Sequence, residues 1–569
     1  MNKQWLLKPN ADQDKVHQLQ SELNIDRITA QLLVQRGVND FEESKIFFRP
    51  SLDDLHNPFL MKDMAVAIER IEKAMLDHEH ILIYGDYDVD GTTAVSLLYT
   101  YFSTEVGYDR LSFYIPDRYK EGYGLSLVAI DWASQNHYSL IITLDCGITA
   151  HEATDYANQK GIDIIISDHH LPTDTLPKAF AILNPKQKDC GYPFEELSGC
   201  GIGFKIAQAF AKNNRLDLKP LYDMLDLLAV SIASDVVPIV GENRILAHFG
   251  LKKLSENPSM GLKAIKNLCL GTKSDVTISD IVFKIGPRIN AAGRMGDARR
   301  VVRLLIANET LDAETKADLI NEVNTERKDV DATITKKALE AVEKIPNFGN
   351  RRSTVVYGNE WHKGVIGIVA SRLIEHYYKP TIVFTESEGL FTGSARSVDG
   401  FDIYAAIFEC REYLERFGGH KYAAGLSIKR EHLKAFIEKF ESVVCRDITQ
   451  EQLTPKIDID LKIKFKDISP KFFRLLKQFA PFGPWNMQPI FRADQVFVPQ
   501  SAVKIVGENH LQMAVQQEGS EVFSVIAFGQ GGMYDKLLKG IPFDMVFTVE
   551  ESSYKGKSYT KLFVKDIRF

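Results

Sequence analysis

The sequence predicts an α/β protein: a doubly wound parallel sheet, a long helical connector, a smaller α/β unit and a terminal β-barrel. Three observations carry this expectation. Between Ile81 and Lys186, short apolar runs alternate with helical text, the pattern of parallel strands covered on both faces by helices. Residues 310–345 are highly charged and meet no breaker before Pro346, which describes a helix exposed along most of its surface. Beyond residue 450, short alternating strands follow one another closely, as in a small barrel.

In chain order, a polar helical preamble runs to about Asn57 and ends in FFRPSLDDLHNPFLM. The helix AVAIERIEKAMLDHEH leads into a strand at Ile81–Tyr84, and AVSLLYTYF reads as the helix that follows, from Thr92 onward. LSFYIP (111–116), SLIITLDCG (139–147), IDIIISDHH (162–170) and AFAILNPK (179–186) are strands, with helices at 125–135 and 151–161 between them. A long helical region continues through LYDMLDLLAVSIASDVV to about Leu270. The second α/β unit opens with STVVYG (353–358), VIGIVASRLIEHYY (365–378) and TIVF (381–384). The closing strands suggest a barrel of the OB type. The expected divisions are 1–60, a helical segment; 61–270, the parallel-sheet domain; 271–345, the connector; 346–448, the second α/β domain; and 449–569, the barrel.

The apolar fraction of 45% and charged fraction of 25% are those of an ordinary globular protein, and 569 residues allow three or four domains. MNKQWLLKPNADQDK turns polar at once, and no apolar stretch reaches the roughly 20 residues that span a bilayer, so a cytoplasmic protein is expected. The six cysteines are scattered without a CxxC pair, which suggests neither a disulfide framework nor a zinc site. A net charge of -7 argues, taken alone, against a nucleic-acid partner. Local distribution matters more: Arg288, Arg294, Arg299, Arg300 and Arg303 gather in one segment, and Lys555, Lys557, Lys561 and Lys565 in another.

The chemistry concentrates in ILIYGDYDVDGTT, Ile81–Thr93. Asp86, Asp88 and Asp90 crowd a strand-to-helix turn and would repel one another unless a cation sat among them. No Lys follows Gly91, so the turn is not a phosphate loop. Three further segments place acidic or imidazole groups at what read as the carboxyl ends of apolar strands: Asp145; Asp168 with His169 and His170; and Asp235 in LLAVSIASDVVP. In a parallel sheet such ends converge on one crevice. Carboxylates with one imidazole suit a pair of Mn²⁺ or Mg²⁺ ions better than zinc, and a two-ion site can activate water against a phosphate.

GDYDVDG, LDCG, SDHH and ASD, in that order and spacing, resemble the four motifs of the DHH phosphoesterases. GPRINAAGRMGDA (286–298), GNEWHKGVIGIVASRL (358–373), SARS (394–397) and FGGHKYAAG (417–425) narrow the resemblance to the RecJ family, with its DHHA1 lobe and OB domain. The resemblance implies a single-stranded-DNA-specific exonuclease working from 5′ to 3′ in DNA repair and recombination. It implies metal ligands at Asp88, Asp90, Asp145, His169 and Asp235, with Asp145 bridging two ions and His170 on the scissile phosphate. Many members carry His where this chain has Tyr84; with a phenol there, the first ion leans on Asp86 or on water and is held more loosely.

Phosphate and DNA contacts are expected at Arg118, Arg288 and Arg294, whose guanidinium forks suit phosphate oxygens, and at Asn290, which the last two flank. The resemblance implies that Ser394, Arg396, Gly418, Gly419 and His420 bind the nucleotide end at the second lobe, where glycine backbones can approach a phosphate closely. For Arg288 and Arg294, a buried ion pair joining the lobes is the competing reading. In the barrel, Phe482, Trp485, Phe491, Tyr554 and Tyr559 are candidates for stacking on a single strand, although aromatics in such text are more often core; the hairpin YKGKSYTK, with Lys555, Lys557 and Lys561 to attract phosphates, is the better candidate. The implied partners are single-stranded DNA and helicase or single-strand-binding proteins, with the chain a monomer. The rival readings are a DHH-family phosphoesterase acting on short oligonucleotides or cyclic dinucleotides, whose members generally lack the connector and barrel, and a replication-associated binding protein that keeps the fold but has lost catalysis, a class that typically loses the aspartates intact in this chain.

Overall fold

The opening apolar run forms the strand His80–Gly85, buried at every position after His80. Burial without polar alternation is what a parallel strand covered on both faces requires. Its neighbours are Leu111–Tyr114 on one side and Tyr138–Leu144 on the other, followed outward by Asp163–Ser167 and Ala181–Leu183, all parallel. Ile81 and Ile83 pack on one face with Val95, Leu98 and Phe204, while Leu82 and Tyr84 pack on the other with Ala129, Ile130 and Ala157. Two apolar cores, one per face, make the sheet doubly wound.

The strand order positions the site. From His80–Gly85 the chain builds Leu111–Tyr114 on one flank, then returns across to lay Tyr138–Leu144 on the other. That reversal opens a crevice at the carboxyl ends of the two central strands, where ligands of such sheets bind. Asp86 follows the first strand and Asp145 the second.

The computed structural model describes residues 3–499, 502–554 and 557–569, with side chains described outside 553–558. Two compact units emerge: Pro9–Asn324 with Ile463–Ile567 and Phe569, and a second made of the N-terminal residues to Lys8, Thr325–Lys462 and Arg568. The 34-residue helix Thr310–Glu343 carries the chain from one to the other. In the second unit a sheet runs Leu414–His420, Ala423–Ile428, Leu390–Arg396, Thr381–Ser387, Thr354–Gly358, parallel only between the last two. There the strand Gln4–Leu7 pairs in parallel with Lys456–Ile459.

In the first unit, the C-terminal strands Phe491–Val496, Phe543–Tyr554, Lys557–Arg568, Phe523–Ala527, His510–Val515 and Val503–Val506 lie side by side in that order. Their burial alternates, as in Phe523–Ala527, so one face makes a core and the other faces water. Among the described residues no helix is long and apolar enough to cross a membrane.

Candidate metal centre

The helix after the acidic loop starts at Val89, earlier than the expected Thr92, because Asp88 caps it: Gly91 N–H donates to Asp88 Oδ1 at 3.1 Å. Gly91 folds the loop tightly enough that a Cβ there would stand 2.6 Å from Asp86 N. Asp86 is thereby held 3% exposed, with a buried Oδ1 that accepts no hydrogen bond among the described residues.

Asp145 follows its strand in the left-handed region, φ 63°, which turns the carboxylate back into the crevice. Its Oδ1 is also buried without a hydrogen-bond donor and lies 3.2 Å from His169 Nε2. His169 is 6% exposed and leaves both ring nitrogens unpartnered. Asp235 Oδ2 stands 3.5 Å and Asp90 Oδ2 3.8 Å from the same Nε2.

Asp235 is a correction. It caps the carboxyl end of the helix Leu225–Ser234 and does not follow a strand. That helix, buried at nine of its positions, Leu225–Ala233, agrees with the helical reading of LYDMLDLLAVSIASDVV and not with the strand end assigned to LLAVSIASDVVP. It still delivers the carboxylate to the crevice.

Burial and mutual repulsion govern the charges. Burial, then Asp88, pushes the Asp86 carboxyl well above its ordinary range. Burial, then Asp90 and Asp88, does the same at Asp145 and at Asp235, and burial holds His169 below the usual imidazole value. His170 is different. Burial lowers it, but the 2.7 Å bond from its Nδ1 to Asp168 Oδ1 wins and raises it to about 9. Asp168 in turn accepts from the N–H groups of Ile148, at 2.9 Å, and His170, at 3.1 Å.

The donors fit cations. Asp86, Asp88 and Asp145 bring one oxygen each within 4.8 Å of one another, and Asp90, His169 and Asp235 form a second such group. Buried carboxylate oxygens and imidazole nitrogens with no hydrogen-bond partner are costly unless something positive lies between them. An oxygen-rich set with one imidazole and no thiolate suits Mg²⁺ or Mn²⁺. Tyr84 takes no part: its hydroxyl donates to Gly124 O at 2.7 Å and its ring stacks on Tyr114 at 5.6 Å, on the far face of the sheet.

The basic residues divide by unit. Arg118 lies 4.8 Å above the Tyr87 ring, inside the acidic loop. The helix Gly286–Met295 runs along the centre, since a Cβ at Gly286 would come 2.8 Å from Ser234 Oγ and one at Gly293 2.6 Å from Tyr87 O. It carries Asn290 and Arg294, both half-buried. Arg288 bonds to Asn321 Oδ1 at 2.9 Å and Lys284 O at 2.7 Å, neither of them an acid.

In the other unit, Arg396 Nη1 donates to Ser394 Oγ at 3.2 Å and Ala395 O at 2.8 Å, beside Gly367 at the start of the helix Ile366–Tyr377. Gly418, Gly419 (φ 146°) and His420 end an exposed strand there.

In the barrel, Trp485 and Tyr559 are exposed, and Phe482 lines a cavity of about 890 Å³. Phe491 is a second correction. It is fully buried, its ring packed on Phe472 and Phe547 in the barrel core, where an inward strand position put it. Tyr554, Lys555 and Lys557 have side chains outside the described residues.

Several residues of the site escaped the sequence reading. Tyr123 OH lies 3.2 Å from His170 Nδ1 and donates to Asp145 O at 3.3 Å. Gly199, Cys200 and Ser231 all donate to Asp90. Tyr123 at least stood in PDRYKEGYGLS beside Arg118, a signal that could have found it. The backbone donors have no signature in residue type.

The DHH family N-terminal domain matches residues 80–232, the DHHA1 domain 350–445 and the RecJ OB domain 459–566. The chain is similar to the single-stranded-DNA-specific exonuclease RecJ of Bacillus subtilis, 35% identical over 561 residues, covering 98% of this chain and 70% of that one. The protein of the same name from Dickeya dadantii is 30% identical over 564 residues, covering 96% of each. Among solved structures, RecJ from Thermus thermophilus in complex with Mn²⁺ shares the fold at a TM-score of 0.85 and 24% identity, over 100% of this chain and 79% of that one. An exonuclease RecJ bound to manganese gives 0.60 at 29% identity, over 70% of this chain and 98% of that one.

Proposed function

The chain belongs to the RecJ family of DHH phosphoesterases, and from that premise we propose that it degrades single-stranded DNA from the 5′ end, in DNA repair and recombination, with two divalent cations held in the crevice. It is a hydrolase acting on DNA, and its OB domain supplies single-strand binding. The observation that carries the reading is the convergence of Asp86, Asp88, Asp90, Asp145, His169 and Asp235, with Asp86 Oδ1, Asp145 Oδ1 and both His169 ring nitrogens buried without a hydrogen-bond partner.

Asp86, Asp88 and Asp145 would hold one Mn²⁺ or Mg²⁺, and Asp90, His169 and Asp235 the other, with Asp145 beside both. When bound, such ions activate water and neutralise charge on the attacked phosphate. The chain's own groups do the rest. His170, kept protonated by Asp168, offers an N–H to a phosphate oxygen. Tyr123 OH lies against the same Nδ1 at 3.2 Å, which leaves Nε2 as the nitrogen that faces the phosphate. Arg118, Asn290 and Arg294 add phosphate donors in the first unit; in the second, Ser394, Arg396, Gly418, Gly419 and His420 are a nucleotide-binding set of their own. Cys146 and Cys200 are buried thiols pushed up by burial, and the Ser231 hydroxyl is tied to Asp90 at 2.7 Å. Hydrolysis by water is therefore the expected outcome. The same reading gives a cytoplasmic monomer whose substrate is exposed by helicases or single-strand-binding proteins.

Digestion of 5′- and 3′-labelled single strands with Mn²⁺ or Mg²⁺, beside duplex and dinucleotide controls, tests this. Early release of the 5′ label from long single strands is expected. Preference for dinucleotides, or release from the 3′ end, would overturn it.

A further inference from the structure

The turn Leu197-Ser198-Gly199-Cys200-Gly201 lies outside the four acidic segments and has no role in the chemistry above. We propose that this turn, together with Ser231, is a positioning element of the metal centre: it clamps Asp90 so that one lone pair remains for a cation, and Gly199 sets the approach of Asp145. The proposal rests on the two-cation reading.

Three donors converge on Asp90, which is 1% exposed. Gly199 N–H donates to Oδ2 at 2.6 Å, Cys200 N–H to Oδ1 at 2.8 Å, and Ser231 Oγ–H to Oδ1 at 2.7 Å. A carboxylate has about four lone-pair sites. Oδ1 has used both of its own, and Oδ2 keeps one. That oxygen is the one 3.8 Å from His169 Nε2, on the side of the crevice. Asp90 can therefore ligate only through Oδ2 and only singly.

The clamp has no rotational slack. Asp90 only accepts, so Ser231 must donate to it. Ser198, 2.6 Å away, must then donate to Ser231, while Ser198 Oγ accepts from Gly201 N–H at 3.1 Å. Every proton in the chain has one direction. Gly199 is set by space: a Cβ there would lie 2.5 Å from Asp145 Cβ and 2.8 Å from its Oδ1. Any side chain at 199 would displace a ligand expected to touch both ions. An ordinary helix cap would affect folding alone; a clamp also affects metal affinity.

The test titrates the metal-free full-length chain with Mn²⁺, reading free ion by electron paramagnetic resonance, for the parent, Ser231→Ala and Gly199→Ala. Circular dichroism of each metal-free form establishes folding. Outer-shell partners of metal ligands typically contribute about 10–100-fold in affinity. Ser231→Ala is expected to weaken Mn²⁺ binding roughly 10-fold and Gly199→Ala roughly 100-fold, with nuclease activity recovering at raised Mn²⁺. Parental affinity in folded Ser231→Ala overturns the clamp, and this arm decides even if Gly199→Ala fails to fold. A parent that binds no Mn²⁺ overturns the two-cation reading, and the clamp with it.

Discussion

Asp145 adopts φ 63°, a region that Asp and Asn enter more readily than Ala. Asp145→Asn should thus remove the charge while the turn persists, whereas Asp145→Ala adds about 1 kcal/mol of backbone strain. Both should reduce cleavage of single strands to background, and only the alanine form should also lower the urea midpoint. Parental turnover by the asparagine form would remove Asp145 from the chemistry. Tyr84 supplies the contrast. Its hydroxyl satisfies Gly124 O inside the core, so Tyr84→Phe should cost about 1 kcal/mol of stability by leaving that carbonyl unpaired. Its nuclease rate should match the parent, and a collapse in rate would return the phenol to the ligand set.

At the scale of elements, the strands were legible because each is a short apolar run ending in a polar or acidic residue. Asp86, Asp145 and His169 could be placed at sheet ends from that pattern alone. Asp235 reads two ways, within a long helical region and at a strand end, because a helix buried on nearly every side shows the same continuous apolar run as a buried strand. Phe491 illustrates a different limit: aromatic residues in alternating text read the same whether they face the core or a ligand. Gly199 and Cys200 were invisible because main-chain N–H groups donate to Asp90, and every residue but proline has one.

The capping turn at Thr277 is fully local and makes its own prediction. Burial pushes the Asp280 carboxyl up, but bonds from Lys273, Thr277 and Lys284 outweigh it and hold it at about 2. A carboxyl lowered on folding stabilises above its ordinary value near 4, and that contribution is lost as pH falls toward 2. Allowing for solvent screening, the effect is about 1 kcal/mol. Equilibrium unfolding of Asp280→Asn should show lower stability at pH 7 and a shallower acid loss between pH 4 and 2. An identical acid limb would place the charge elsewhere.

Across the whole first unit, Arg244 ties the barrel end of the chain to its beginning. The buried guanidinium donates to Phe479 O at 2.9 Å, Ala480 O at 3.0 Å and Phe47 O at 3.0 Å, over the Phe47 ring at 3.9 Å. Burial, then Arg36, lowers it to about 10, so it stays charged at neutral pH. Arg244→Met would strand those carbonyls. A cost of about 3 kcal/mol is expected, by analogy with a broken buried polar network, and calorimetry should then resolve two transitions in this unit. A single unshifted transition would count against the clasp.

The same contact constrains synthesis. Phe479 lies 235 positions after Arg244, and Thr325–Lys462, which belongs to the other compact unit, must be made in between. With elongation at about 5–20 residues per second, the guanidinium waits roughly 10–50 s for Phe479 and Ala480 to be made. Until then Phe47 O, made earlier in the chain, is the one acceptor of those three already present for the guanidinium.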